Sequence, residues 1–216
     1  MPSSAIAWRL SLPRLKRASG VDLLAGLGCV VIVALPLCAC HGIEEVFRLP
    51  VAVAFLGIVV AAMCEGCSTP VARLHASDQG EWGVVACNML HGAVMIAFLQ
   101  ASALEAPAGR EQHSIIYLAG FCAIAIGVAI RCWAIGTLGC AFSDGFAPAI
   151  RGRISDGPYR VCRHPAECGL ILFIAGFATV LEGWCAMTGV LFLAALACSL
   201  VRVCLEERAM ALAIRP

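Results

Sequence analysis

Gly157-Pro-Tyr-Arg-Val-Cys-Arg-His-Pro-Ala-Glu-Cys-Gly169 runs without a break into Leu170-Ile-Leu-Phe-Ile-Ala-Gly-Phe-Ala-Thr-Val-Leu181. The first stretch is the densest polar cluster in the chain, and the second is almost wholly apolar. Proline-punctuated polar sequence that opens directly on an apolar run marks a helix start at a boundary between water and hydrocarbon. Arg160, Arg163 and His164 stand at that boundary. Cations there have an ordinary use, because their stems snorkel to lipid phosphate. The rest of the chain decides whether this group does more.

Of the 216 residues, 61% are hydrophobic and 13% charged, and the mean hydropathy is +0.91. Soluble domains are nearer half apolar and a quarter charged, so the chain reads as an integral membrane protein. Its length suits one compact domain. A formal net charge of +1, with no basic face interleaved with aromatics, points away from nucleic acid. Most of the 14 cysteines lie inside apolar runs, as Cys29, Cys87, Cys122 and Cys198 do, where cysteine behaves as a small hydrophobe. Cys64-Glu-Gly-Cys67 has no second pair at zinc-ribbon spacing. No metal is expected, and no disulfide framework is needed.

A spanning helix takes about 20 mostly apolar residues. Such runs occupy 21–40, 48–64, 84–106, 114–136, 167–181 and 185–205, the second and fifth being short. Only Glu182-Gly-Trp184 separates the last two, which predicts a tight helical hairpin. Ala119, Ala123 and Gly127 predict a small-residue packing face on the fourth helix. Arg9, Arg14, Lys16 and Arg17 precede the first run; with no clear cleavage site after it, that run reads as an uncleaved helix. The fold expected is all-α: a single polytopic membrane helix bundle of about six transmembrane helices with a C-terminal hairpin. Residues 1–112 supply its N-terminal helices and 113–216 its catalytic part. A cytoplasmic N-terminus places Arg151, Arg153, Arg160, Arg163, Arg208 and Arg215 on the cytoplasmic side together, as the positive-inside rule requires. Residues 137–166 are too polar to span and too long for a simple turn, so they read as an ordered, functional loop.

Three polar features then share one face. They are Arg131 with Trp133 at the end of the fourth helix, the loop ending Arg163-His164-Pro165, and Arg202-Val-Cys-Leu-Glu206-Glu207-Arg208. Arg202 and Glu206 are four residues apart and share a helix face, while Glu207 is turned away by about 100°. Pooled, these groups suit a ligand carrying both signs of charge. A solvated helix end explains them equally well from spacing alone.

The ordered combination is more specific. Gly157-Pro-Tyr-Arg-x-x-Arg163-His-Pro-x-x-x-Gly169, followed after a hairpin by Glu206-Glu207, resembles the signature of the isoprenylcysteine carboxyl methyltransferase and phospholipid methyltransferase superfamily. Arg131-x-Trp133-Ala-Ile-x-x-Leu-Gly139-x-x-Phe142 is similar to the sequence before that signature in the isoprenylcysteine branch. The resemblance covers roughly residues 115–210 and implies an integral membrane enzyme that takes methyl groups from S-adenosylmethionine in a cytoplasmic pocket. Carried over by matching positions, Ile154, Tyr159, His164, Pro165 and Gly169 would contribute to that pocket. Glu206 would bind the cofactor's polar groups and Glu207 would support it. Arg202 would lie by the acceptor's reacting group, with Arg163 and Glu167 also on the catalytic side. Glu167 stands where the family often has an aromatic, and would pair with a cationic substrate or with Arg163. The expected partners are a lipophilic or prenylated acceptor and membrane lipid, in a bacterial cell membrane in preference to the endoplasmic reticulum.

The acceptor expected is a carboxylate of isoprenylcysteine type, steered by Arg202. A phospholipid amine is the alternative, with Glu167 or His164 as base. A sterol-type reductase using NADPH, and a transporter or non-catalytic module, are the other readings. A transporter predicts broken helices or paired repeats at the midplane, whereas the polar groups here gather at one end.

Overall fold

The structure, a computed structural model, describes residues 20–68, 82–106, 114–138 and 155–213. The basic segment before residue 20, residues 107–113, and most of the expected loop, with Phe142 and Ile154, lie outside the described residues. Among the described residues all regular structure is helical. The helices are α1 (Gly20–His41), α2 (Leu49–Ser68), α3 (Trp82–Leu104), α4 (Ser114–Leu138), α5 (Pro165–Leu181) and α6 (Ala186–Ala213), with 3-10 turns at Ile43–Phe47 and Gly157–Arg160. The all-α bundle is therefore as expected, each helix overlapping its apolar run. Ile115–Leu138 and Ala186–Arg208 are long and apolar enough to cross a membrane, and the other helices hold shorter apolar stretches. Leu35, Leu56, Leu118, Ile126, Leu193 and Leu200 are exposed on four different helices. A surface this apolar is unusual in water and ordinary in lipid. Phe55, Phe98, Phe173, Ile174 and Phe177 fill the core.

The most extensive helix pairing is α4 on α5. A Cβ on Gly127 would stand 2.6 Å from the Gly169 carbonyl oxygen, and one on Gly176 would stand 2.7 Å from that of Gly120. The close points are seven residues apart on both helices and run in opposite directions, so the pair is antiparallel. Only residues without a side chain let two backbones approach this closely. The packing face of α4 is thus Gly120–Ala123–Gly127. Ala119, expected on it, is exposed, because Gly120 turns the contact one residue further round the helix.

The hairpin turn forms, but its two helices choose different partners: α5 packs mainly on α4 and α6 mainly on α3. Glu182 caps α5 in the left-handed region at φ 52. A Cβ on Gly183 would collide with the Ser102 carbonyl oxygen, so the turn abuts α3. The Trp184 ring packs edge-on against Phe98 and Phe192, at centroid distances of 6.0 and 5.2 Å. Both Glu105 carboxylate oxygens accept α6 backbone N–H groups, from Met187 and Thr188, each at 3.0 Å. These contacts fix one end of α6 on α3 and leave its other end to meet the start of α5.

Candidate active site

The loop into α5 is shaped by two prolines and one glycine. Gly157 adopts φ 56, and a Cβ there would stand 2.8 Å from Thr137 Oγ1 and 3.2 Å from Trp133 Nε1. The turn therefore sits directly on the last turns of α4, at a position where glycine alone is unstrained. Pro158 is buried in this seat. Pro165 opens α5 at N1, where its missing N–H costs nothing. His164 occupies the N-cap position, but its side chain makes no capping bond. The imidazole is left to reach α6.

There it lies between two carboxylates. His164 Nε2 is 3.0 Å from Glu207 Oε1, and Nδ1 is 3.5 Å from Glu206 Oε2. Satisfying both requires a proton on each nitrogen. The Glu206 contact raises the ring's pKa above its ordinary value, burial opposes that rise and Glu207 adds to it. With both nitrogens against carboxylates, the geometry favours the protonated ring. Glu207 makes the shorter contact although it is turned from Glu206, because the ring inserts beside both. Burial first, and then the Glu206 charge, push the Tyr159 hydroxyl's pKa up, so it stays a neutral hydrogen-bonding group.

One turn deeper, Glu167 Oε1 lies 3.4 Å from Arg202 Nη1, with both side chains largely buried. Glu167 pairs with Arg202 and not with Arg163, which is exposed. Arg202 thus points to Glu167 of α5. Glu167 Oε2 is buried and has no hydrogen-bond partner. Behind the pair, the buried Arg131 donates from Nη1 to the Ala166 carbonyl oxygen at 3.0 Å, pinning the first turn of α5 to α4. Gly169 is buried in the α4–α5 contact, against the Gly127 and Arg131 backbones.

One member of this neighbourhood escaped sequence reading. His91 of α3, 3% exposed, places Nε2 3.0 Å from Ser199 Oγ of α6. Ser199 is three residues before Arg202, and the charged groups within electrostatic reach of the imidazole are Glu167, Arg202 and Arg131. An ionisable residue inside an apolar run was the available signal, but nothing near His91 in the sequence ties it to the sixth helix. Among the described residues no three His, Cys, Asp or Glu side chains converge as a metal site would require.

The site thus has an outer part, where Glu206 and Glu207 flank the His164 ring, and an inner part with one carboxylate oxygen unsatisfied. Anionic groups at partly exposed positions hold cations, and an unsatisfied buried oxygen calls for a donor. Residues 115–213, from α4 to the end of α6, match the sequence profile of phospholipid methyltransferases. No curated protein and no solved structure matches the chain. Every polar residue of the site except His91 falls inside the matched segment, and residues 115–213 are similar to the phospholipid methyltransferase family, part of the isoprenylcysteine and phospholipid methyltransferase superfamily.

Proposed function

We propose that the protein transfers the methyl group of S-adenosylmethionine to the amine of a lipophilic acceptor. The observation that carries this reading is the division of the site into two acidic parts joined by α5: His164 with Glu206 and Glu207, and Glu167 with Arg202. The cofactor offers an ammonium, a sulfonium and ribose hydroxyls, and would supply an already activated methyl group. The outer residues fit that chemistry. Glu206 and Glu207 are 46% and 36% exposed, so their carboxylates are reachable by a cation, and the neutral Tyr159 stands beside Glu206. Pro165 and Arg163 frame the same turn. Ile154, Tyr159, His164, Glu206 and Glu207 are the residues assigned to the cofactor.

The inner residues favour an amine over the isoprenylcysteine-type carboxylate. Glu167 already opposes the Arg202 charge, while Glu167 Oε2 has no donor. An ammonium headgroup supplies one, and a second carboxylate would meet Glu167 as a like charge. Arg202 then holds Glu167 in place and remains close to any phosphate of the acceptor. The site is assigned to the cytoplasmic face of a six-span bundle, because the cationic residues around it follow the positive-inside pattern.

Calorimetry of the purified protein with S-adenosylmethionine and with NADPH tests the cofactor. Binding of the first and not of the second is expected, and the opposite result favours a reductase. Incubation with methyl-labelled cofactor and two lipids, phosphatidylethanolamine and farnesylcysteine, tests the acceptor. Label in the first lipid is expected, and label only in the second returns the carboxylate reading.

A further inference from the structure

We infer that His91, outside the segment matched to the family, is the proton acceptor for the amine substrate, with Ser199 orienting its ring. The inference rests on the amine reading above and asks how that amine becomes a nucleophile. An alkylamine has a pKa of about 10.4 and enters as an ammonium, with no lone pair to donate. One N–H bond must break, its electron pair staying on nitrogen and its proton passing to a base.

The groups near the Glu167–Arg202 pair differ in their fitness for this. His164 has both ring nitrogens against carboxylates, Glu206 and Glu207, an arrangement that favours its protonated form. Glu167 already pairs with Arg202 and keeps one oxygen without a donor, which makes it an anchor for the ammonium. Arg131 and Arg202 are permanently charged and carry no acceptor. An imidazole, ordinarily near 6.5, is matched to proton transfer at neutral pH. His91 is the imidazole of this inner part. The charged groups that face it come from three different helices, Arg131 of α4, Glu167 of α5 and Arg202 of α6.

Ser199 Oγ at 3.0 Å engages Nε2. That bond fixes the ring's rotation and selects its tautomer, as partners of working histidines do. Proton transfer converts ammonium and neutral imidazole into neutral amine and imidazolium, so charge is conserved within the buried cluster. The Glu167 carboxylate, having anchored the ammonium, then offsets the imidazolium. His91 later releases the proton to water. A merely structural His91–Ser199 bond would tie α3 to α6 and do none of this.

The test uses the whole purified protein in phosphatidylglycerol nanodiscs. In wild type, kcat/KM for a primary-amine lipid falls on the acid side with the titration of one group. In His91→Gln that acid limb is expected to vanish and kcat to fall about 100-fold or more, with S-adenosylmethionine affinity kept within a few-fold. Ser199→Ala is expected to fall by less and to keep the limb, displaced along the pH axis. A fluorinated amine lipid, neutral at pH 7, is expected to restore His91→Gln to within a few-fold of wild type, since no proton need be removed. A second readout needs no cofactor: histidine ring NMR should show His91 gaining a proton when dodecylamine is added, and not when dodecyltrimethylammonium is added. Unchanged kcat and pH profile in His91→Gln overturn the inference. So does a loss of rate that the neutral amine fails to restore, or a His91 ring indifferent to dodecylamine. If wild type binds no S-adenosylmethionine, or labels no amine lipid, it is the function proposed above that fails.

Discussion

Glu167 and Arg202 face each other between the start of α5 and the last turns of α6, Oε1 to Nη1, at 3.4 Å and largely out of water. A buried pair of this kind is costly to leave half-made: removing one partner typically destabilises by about 3–5 kcal/mol, because the other charge stays buried alone. Arg202→Lys keeps the charge and loses the planar fork. The expected outcome is a folded protein with turnover down by about tenfold or more, a barrier rise of about 1.4 kcal/mol, and cofactor affinity nearly unchanged. Arg202→Ala should lower thermal stability, and Glu167→Gln added to it should recover part of the loss. Full turnover in Arg202→Lys would show that Arg202 lies outside the reaction. Collapse of cofactor binding would move it into the outer part of the site.

His164 makes the outer part dependent on pH. Its pKa is raised above the ordinary 6.5, chiefly by the Glu206 contact with Glu207 adding and burial opposing. A raised folded value means the stabilisation is complete below the unfolded pKa, and is lost as pH rises through the folded one. Thermal stability should therefore decline from about pH 6.5 upward, and His164→Gln should flatten that decline. Glu206 is nearly half exposed, so solvent screens its share. His164→Ala and Glu206→Ala should each weaken S-adenosylmethionine binding by one to two decades, the usual cost of a hydrogen bond to a charged group at about 1.5–3 kcal/mol. Unchanged titrations of both would withdraw the cofactor assignment.

The helices were legible in the sequence because hydropathy is a local property. Each apolar run became a helix, and the prolines and glycine of Gly157–Gly169 sit where their backbone limits place them. Partner choice was less legible. Residues 167–181 and 185–205 adjoin in sequence and read as a packed hairpin, yet Gly169 and Gly176 bind α5 to α4, and Trp184 and Glu105 bind α6 to α3. The signal was the repeated seven-residue glycine spacing, 120 to 127 and 169 to 176, which has meaning only when the two helices are compared. His91 was hidden for a related reason, since its partner Ser199 lies 108 positions away.

The glycine contact yields a clean comparison. A Cβ at Gly169 meets the Gly127 carbonyl oxygen at 2.6 Å and Arg131 N at 2.8 Å, both backbone atoms that cannot swing aside. Overpacking of this sort costs typically about 1–3 kcal/mol. At Gly189 a Cβ meets nothing within 4 Å, and alanine is the better helix former by about 1 kcal/mol. Gly169→Ala should lower the melting temperature, while Gly189→Ala should leave it unchanged or raise it. Gly169 stands in the motif that suggests cofactor binding, so affinity decides between its two possible roles. If the folded Gly169→Ala binds S-adenosylmethionine normally, packing is the whole of its contribution; loss of binding without loss of stability would return it to the pocket.

At the opposite end of the bundle, Glu105 follows α3 and caps α6 from outside that helix. Its two oxygens take the Met187 and Thr188 N–H groups at 3.0 Å each, donors that a helix N-terminus otherwise leaves unsatisfied. A negative group there also meets the positive end of the helix dipole. Partial desolvation works to raise the Glu105 pKa, but the bonds from Thr188 and Met187 outweigh it and hold the value below the ordinary 4.5. A depressed folded value gives stabilisation that is present above the unfolded pKa and lost as pH falls through the folded one. Glu105→Gln keeps an acceptor and loses the charge; Glu105→Ala loses both. Stability should fall in that order, with the alanine variant losing roughly 0.5–2 kcal/mol as other N-caps do, and the wild-type advantage should disappear below about pH 4. The site lies at the far end of α6, so S-adenosylmethionine affinity at temperatures well below unfolding should not change. A Glu105→Ala protein as stable as wild type would mean that water caps α6 equally well. One that is stable but loses cofactor binding would mean that the seating of α6 on α3 controls the position of Arg202 and Glu206 along the whole length of the helix.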